Sequence, residues 1–196
     1  MGLLKHTLGK TRIKLCGFTR SVDVDAAVGL GVDALGFVFY PQSPRYVSPE
    51  VAATLIGRMP GGVDAVGLVV NPSDEEVSRI KDRVPLTLWQ FHGDESPERC
   101  EAIADGLPWI KAARMKQNFN LADFSLQYGK AAGFLLDAFV DGFGGKGKRV
   151  VLEWFENVDL SNATHIFTYL YPNVMDDLLP KFDKEIKKEE KEEKEE

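Results

Sequence analysis

Two residues able to transfer protons each stand at the end of a short apolar run. Cys16 closes the run RIKLC, and Asp137 closes the run GFLLD. A thiolate serves as a general base when its pKa is lowered, and a carboxyl group on an apolar strand can be a poised acid. Each residue also has a plainer interpretation, because Cys16 could be a small buried hydrophobic residue and Asp137 a satisfied core residue. The residues alone leave both alternatives open.

Arg45 is a candidate for anion binding. It lies in the stiff loop YPQSPRY, which follows the second apolar run. A guanidinium fork matches a carboxylate or phosphate bidentately, and the alternative is an ordinary surface arginine. Further candidates come at the ends of later apolar runs: Asn71, His92 with Asp94, and Lys111 to Arg114.

Three further residues of potentially reactive type offer no site. Cys100 falls inside a predicted helix, where packing explains it. His6 and His165 have no suitable neighbours, so the sequence predicts no metal site.

The elements that must position these residues alternate regularly. Six apolar runs rich in β-branched residues are each followed by a turn and a stretch of helical period, which predicts successive βαβ units. The runs start about 24 residues apart on average, and no G-x-G-x-x-G fingerprint follows the first one. We therefore expect a barrel rather than a doubly wound sheet. The predicted strands are 12–16, 34–39, 65–70, 86–91, 109–112 and 133–137.

Several helix starts are marked by their capping residues. Ser48 and Ser96 each precede a proline, and Ser73 with Glu76 matches a capping box. Within the helix after Ser48, an apolar stripe is expected to lie on the sheet; it consists of Val51, Leu55, Ile56 and Met59.

Composition bounds the class of protein. The 196 residues are 44% hydrophobic and 28% charged with a net charge of -6, values typical of a globular core and not of a nucleic-acid binder. No apolar run reaches the roughly 18 residues that span a membrane. The two cysteines fit a reducing compartment, and the start of the chain lacks a secretory signal, so a cytoplasmic location is expected.

The domain organisation predicted from these patterns has four parts. Residues 1–10 form a leader, 11–148 form barrel units one to six, 149–180 form an atypical strand-helix end, and 181–196 are a charged tail. Within the third part, 164–170 could be a seventh strand and 172–179 a following helix, with no eighth strand found. The glycine cluster at 142–148 is interpreted as a mobile loop able to close over a ligand.

Eight segments in order resemble the phosphoribosylanthranilate isomerase family. They are KLCGFT at 14–19, ALGFVF at 34–39 with SPR at 43–45, VGLVVN at 66–71, QFHGDE at 90–95, IKA at 110–112, and LLD at 135–137 with GGKGK at 144–148. The resemblance covers residues 11–148. It implies an α/β fold of the (β/α)8 TIM-barrel type, here incomplete or atypical at the last two units.

The resemblance also implies an activity and roles for four residues. The activity is an aldose–ketose isomerisation in tryptophan biosynthesis, which converts N-(5-phosphoribosyl)anthranilate into 1-(2-carboxyphenylamino)-1-deoxyribulose 5-phosphate. Cys16 would be the general base and Asp137 the general acid, while Arg45 and His92 would bind substrate. No cofactor or metal is implied. The only expected ligand is this phosphorylated small molecule, with neither nucleic acid nor membrane, and the chain would be a monomer or homodimer.

The family pattern is not met after Lys148. The Gly-Gly and Ser-Gly motifs that the resemblance would place in the last two units, to bind the substrate phosphate, do not occur after Lys148. Residues 158–172 instead faintly resemble a piece of class I methyltransferases. The leading hypothesis is therefore an isomerase impaired in its phosphate site. Two alternatives are a non-catalytic barrel fragment that binds or assembles with a partner, and a methyltransferase-like fusion, which the lack of a Gly-rich cofactor motif disfavours.

Overall fold

The computed structural model describes residues 2–4, 12–116, 119–138 and 166–168. The chain divides into two compact units. The first comprises Met1–Lys111 with Lys130–Ala132, and the second comprises Ala112–Gly129 with Gly133–Glu196. The predicted glycine-rich loop, the helix at 172–179 and the charged tail lie outside the described residues.

The first unit is built from parallel strands and the helices between them. Its strands pair in the order of the sequence, each with the next, as a β/α barrel requires and a doubly wound sheet does not. Its strands are β1 (Lys14–Cys16), β2 (Ala34–Val38), β3 (Asp64–Val69), β4 (Leu88–Phe91) and the first part of β5 (Trp109–Met115); its helices are α1 (Ser21–Gly29), α2 (Pro49–Ile56), α3 (Asp74–Arg83) and α4 (Pro97–Ala104).

The second unit contains the remaining described elements. They are α5 (Leu121–Gln127), β6 (Gly133–Ala138) and β7 (Ile166–Thr168). Strand β7 pairs in parallel with β6, which confirms the seventh strand expected within 164–170. The ring of Phe124 on α5 packs against Phe119, Tyr128 and Phe134.

The central strands of the first unit are buried on both faces. Every residue of β2 and β4 is buried, as expected for parallel strands covered by helices. Strand β1 differs, because Leu15 is 40% exposed and Ile13 beside the strand is 48% exposed. None of the helices in the described ranges has the length and apolarity needed to cross a membrane.

Local capping chemistry explains where three helices begin. The hydroxyls of Ser48 and Ser96 accept N–H bonds from Val51 and Arg99, and Ser73 forms the predicted capping box with Glu76. The predicted stripe on α2 is wrong at Val51, which is 46% exposed; Ala52 is buried in its place. Leu55 and Ile56 are buried as expected, so within α2 only the first member of the stripe differs, because Ala52, Leu55 and Ile56 have the i, i+3, i+4 spacing of one helix face.

The predicted leader begins with a residue that packs. Leu3 is fully buried, and its backbone N–H donates to Asp64 Oδ2 at 2.6 Å. Asp64 is the first residue of β3, so this contact lies at the amino-terminal end of the strands. The division of the chain into a leader and three further parts stays a prediction.

Candidate active site

Cys16 is the last residue of β1 and lies next to a glycine on the neighbouring strand. The register pairs Cys16 with Gly36 of β2. A Cβ atom added at Gly36 would lie 2.5 Å from Cys16 Sγ, well inside van der Waals contact. Gly36 therefore makes the space that the half-buried thiol occupies.

Arg45 approaches Cys16 from the loop after β2. Its backbone N–H donates to Ser43 Oγ at 3.1 Å, which fixes the turn. Its side chain crosses Gly17, where a Cβ would lie 2.5 Å from Arg45 Cδ and where φ is +99°. Arg45 Nη1 then donates to the Cys16 carbonyl oxygen at 3.4 Å. The structure thus brings the predicted base and the predicted anion-binding residue together.

His92 follows β4 at the same edge of the sheet, because β1 to β4 are parallel. The side chain is buried, and its Nδ1 lies 3.1 Å from Gln90 Nε2. This contact orients the imidazole ring. The amide oxygen of Gln90 is buried and has no hydrogen-bond partner within the described ranges. Sequence reasoning did not single out Gln90 as a site residue.

A buried ion pair lies beside His92. Lys111 Nζ lies 2.9 Å from Glu95 Oε2 and also donates to the Gly93 carbonyl oxygen at 2.7 Å. Lys111 had been placed among the candidates at the end of the fifth strand, but β5 continues to Met115 and so contains it. The partnership with Glu95 was missed, since a residue in the loop after β4 and a residue on β5, 16 positions apart, give no local pattern.

Asp137 belongs to the second unit. It is the penultimate residue of β6 and is half-buried. The residues before it pair with β7, through Leu135 with Phe167 and Leu136 with Thr168. The first unit holds Cys16, Arg45 and His92, so the expected partnership of Cys16 with Asp137 stays a prediction.

Cys100 confirms the packing role expected for it. It is fully buried in α4, and its Sγ donates to the Glu95 carbonyl oxygen at 3.9 Å. Burial raises the pKa of this thiol to about 12, because the charged thiolate would be desolvated. The thiol therefore stays protonated and unreactive near neutral pH. Among the described residues, no group of three or more His, Cys, Asp or Glu side chains could hold a metal ion.

Comparison with known proteins gives a consistent result. The model of the N-(5'-phosphoribosyl)anthranilate (PRA) isomerase family matches residues 13–168. An N-(5'-phosphoribosyl)anthranilate isomerase of Ralstonia nicotianae is 53% identical over 149 residues, which are 75% of this chain and 64% of that protein. The chain thus spans less than two thirds of the length of this relative.

Two solved structures extend the comparison. A phosphoribosyl anthranilate isomerase from Thermus thermophilus superimposes with a TM-score of 0.75 at 30% identity, covering 87% of this chain and 82% of that one. A second has a TM-score of 0.59 at 39% identity and covers 66% of each chain. It is a phosphoribosyl anthranilate isomerase in complex with reduced 1-(o-carboxyphenylamino)-1-deoxyribulose 5-phosphate.

These similarities bear on two expectations. The TIM-barrel-like α/β fold class is confirmed by the parallel, sequential strands of the first unit and by the likeness to these structures. The family match continues to residue 168, beyond the expected limit at 148. It overlaps the segment compared with methyltransferases and leaves that resemblance unsupported.

Proposed function

We propose that this chain, which belongs to the N-(5'-phosphoribosyl)anthranilate isomerase family, catalyses the family's Amadori rearrangement. The substrate is N-(5-phosphoribosyl)anthranilate, and the product is 1-(2-carboxyphenylamino)-1-deoxyribulose 5-phosphate. The reaction is an intramolecular aldose–ketose isomerisation within tryptophan biosynthesis. We propose a cytoplasmic enzyme that acts on this phosphorylated small molecule as a monomer or homodimer.

The observation that carries the proposal is the contact between Arg45 and the end of β1. The guanidinium reaches the carbonyl of Cys16, the residue that bears the thiol. A guanidinium suited to an aromatic carboxylate thus contacts the backbone of the residue whose thiol we propose as the base. His92, oriented by Gln90 at the same sheet edge, is the second proposed binding residue.

The chemistry assigns one proton transfer to each of two residues. Asp137 donates a proton to the furanose ring oxygen, the bond from that oxygen to C1 breaks, and a protonated Schiff base forms. The Cys16 thiolate then removes the proton from C2, and the electron pair moves through C1 to the nitrogen to give an enol amine. Tautomerisation of the enol amine yields the ketose. An acid and a base with separate roles suffice, so neither step requires a cofactor.

A steady-state assay with N-(5-phosphoribosyl)anthranilate tests the assignment. We expect Cys16→Ala and Asp137→Asn each to reduce kcat by about 10²- to 10⁴-fold, the contribution typical of a general acid or base. Cys100→Ala, which removes the packing thiol, is the matched control for Cys16, and Asp82→Asn on α3 is the control for a carboxylate. Both controls should retain the wild-type kcat.

Each other outcome has a defined meaning. Turnover unaffected by Cys16→Ala and Asp137→Asn would refute the assigned roles. A folded wild-type chain without turnover would refute the proposed activity and favour the non-catalytic barrel fragment. Arg45→Met should raise KM more than it lowers kcat, because the residue holds the carboxylate and takes no part in proton transfer.

A further inference from the structure

The turn that carries His92 is held by a buried ion pair that the proposed reaction does not use. The side chains of Lys111 and Glu95 are 2% and 1% exposed, and their charged atoms lie 2.9 Å apart. Taking two charges out of water is costly, and a buried pair therefore contributes little net stability. The role of the pair is therefore sought in the backbone groups that it hydrogen-bonds.

The two charged groups hydrogen-bond the two backbone polar groups of one residue, Gly93. Lys111 Nζ donates to the carbonyl oxygen of Gly93 at 2.7 Å, and Glu95 Oε2 accepts the N–H of Gly93 at 3.0 Å. Gly93 immediately follows His92. A Cβ at Gly93 would lie 2.5 Å from Asn71 Oδ1 and 2.7 Å from Glu95 Oε1, so the residue is enclosed as well as hydrogen-bonded.

The same carboxylate reaches the end of β3. Glu95 Oε1 accepts the backbone N–H of Asn71 at 2.8 Å, and Asn71 Oδ1 accepts the N–H of Asp94 at 2.7 Å. Asn71 has a φ of 45°, a left-handed conformation that these contacts stabilise. The ends of β3 and β4 and a residue of β5 are thereby joined through one carboxylate.

We propose that Lys111 and Glu95 are positioning residues that fix the turn His92–Asp94 for ligand binding. They act on the backbone of Gly93 directly and on that of Asp94 through Asn71, and they do not touch the reacting atoms. The inference rests on the proposed function in one respect, namely that His92 contacts the substrate. It predicts that neutralising the pair weakens binding while leaving the chemical step nearly intact.

The test uses a double variant, because a single substitution would leave an unpaired buried charge. Lys111→Met with Glu95→Gln removes both charges and keeps an amide oxygen for the Asn71 N–H. The matched control is Arg12→Met with Asp33→Asn, which neutralises another buried pair, 2.6 Å apart, at the opposite end of the strands. We expect KM to rise about tenfold in the Lys111/Glu95 double variant alone, with kcat changed less than about threefold.

A second readout does not depend on turnover. The chain has three histidines, so the ring signals of His92 in NMR spectra can be assigned from their loss in His92→Gln. The Lys111/Glu95 double variant should displace the ring signals of His92 and the amide signals of Gly93 and Asp94. The Arg12/Asp33 double variant should leave these signals in place at a comparable loss of thermal stability.

The outcomes separate the two proposals. Displaced His92 signals with a selective rise in KM support the positioning role. If the wild-type chain shows no turnover, only the proposed activity is refuted. The positioning role is then tested by the same NMR signals and by the affinity of each variant for reduced 1-(o-carboxyphenylamino)-1-deoxyribulose 5-phosphate. Unchanged signals, or an equal rise in KM in both double variants, would overturn the positioning role.

Discussion

Two buried ion pairs lie at opposite ends of the strands of the first unit, and they do different work. Near the amino-terminal ends, Arg12 and Asp33 lie 2.6 Å apart, and Asp33 also accepts the N–H of Ile13 at 2.9 Å. Near the carboxyl-terminal ends, Lys111 and Glu95 hold Gly93. The first pair joins the start of β1 to the start of β2, whereas the second fixes a turn beyond the end of a strand.

The neighbours of the two pairs sharpen the contrast. At the amino-terminal ends, Asp64 and Thr87 are tied to each other and to backbone N–H groups, which secures the starts of β3 and β4. At the carboxyl-terminal ends, the side chains of Cys16 and Arg45 occupy space left by the missing Cβ atoms of Gly36 and Gly17. One end of these strands carries contacts between strand starts, and the other carries the residues proposed to bind substrate, a division of roles known for β/α barrels.

The largest effect is expected from breaking the carboxyl-terminal pair on one side only. Lys111→Met leaves Glu95 charged and 1% exposed, so we expect the free energy of unfolding to fall by about 3–5 kcal/mol in urea titrations. Adding Glu95→Gln should recover part of this loss. Equal losses in the single and double variants would show that an uncompensated charge is not the cause.

The next substitution tests how tightly the Cys16 thiol is enclosed. Gly36→Ala places a Cβ 2.5 Å from Cys16 Sγ and should displace it. We expect kcat/KM to fall about 100-fold in the isomerase assay, because a misplacement near 1 Å can cost this much. Gly61→Ala, where a Cβ meets nothing within 4 Å, is the control and should retain wild-type activity.

A smaller effect is expected at the amino-terminal ends. Thr87→Val keeps the shape of the side chain but removes the hydroxyl that accepts the Ala65 N–H and donates to Asp64 Oδ1. The free energy of unfolding should fall by about 1 kcal/mol, the value of a typical hydrogen bond. Activity at saturating substrate should not change. A loss of kcat would contradict the separation of the two ends.

The last prediction concerns the difference in reactivity between the two thiols, Cys16 and Cys100. Titration of the native chain with a thiol reagent near pH 8 should modify Cys16 and spare Cys100, whose burial raises its pKa to about 12. Both should react in denaturant. Because the raised pKa belongs to the folded state, the contribution of the protonated Cys100 thiol to the free energy of unfolding is complete below pH 9. It is lost as pH rises toward 12. Cys100→Ala should remove this alkaline dependence of the unfolding free energy.

Sequence reasoning succeeded where the signal is local or periodic. The serine caps of α2, α3 and α4 are set by residues three positions apart, and the strands by short apolar runs. The strand-end rule selected Cys16, Arg45 and His92, and the structure places these three at one edge of the first unit.

Sequence reasoning failed where a side-chain contact depends on which strands are neighbours. The pairing of Lys111 with Glu95 and the passage of Arg45 across Gly17 depend on strand order and register, which no local spacing encodes. The prediction for Val51 is wrong because the buried residues Ala52, Leu55 and Ile56 follow the i, i+3, i+4 spacing of one helix face, which leaves Val51 outside it.

The sequential pairing of the strands has a consequence for how the first unit forms. Each described strand pair in it joins residues roughly 20 to 30 positions apart. During synthesis, the partner of each new strand is therefore the strand made just before it. Because none of these pairings waits for a distant part of the chain, the unit can grow from its amino-terminal end. We expect this unit to assemble stepwise as the nascent polypeptide leaves the ribosome, with every added strand and helix docking on the preceding ones.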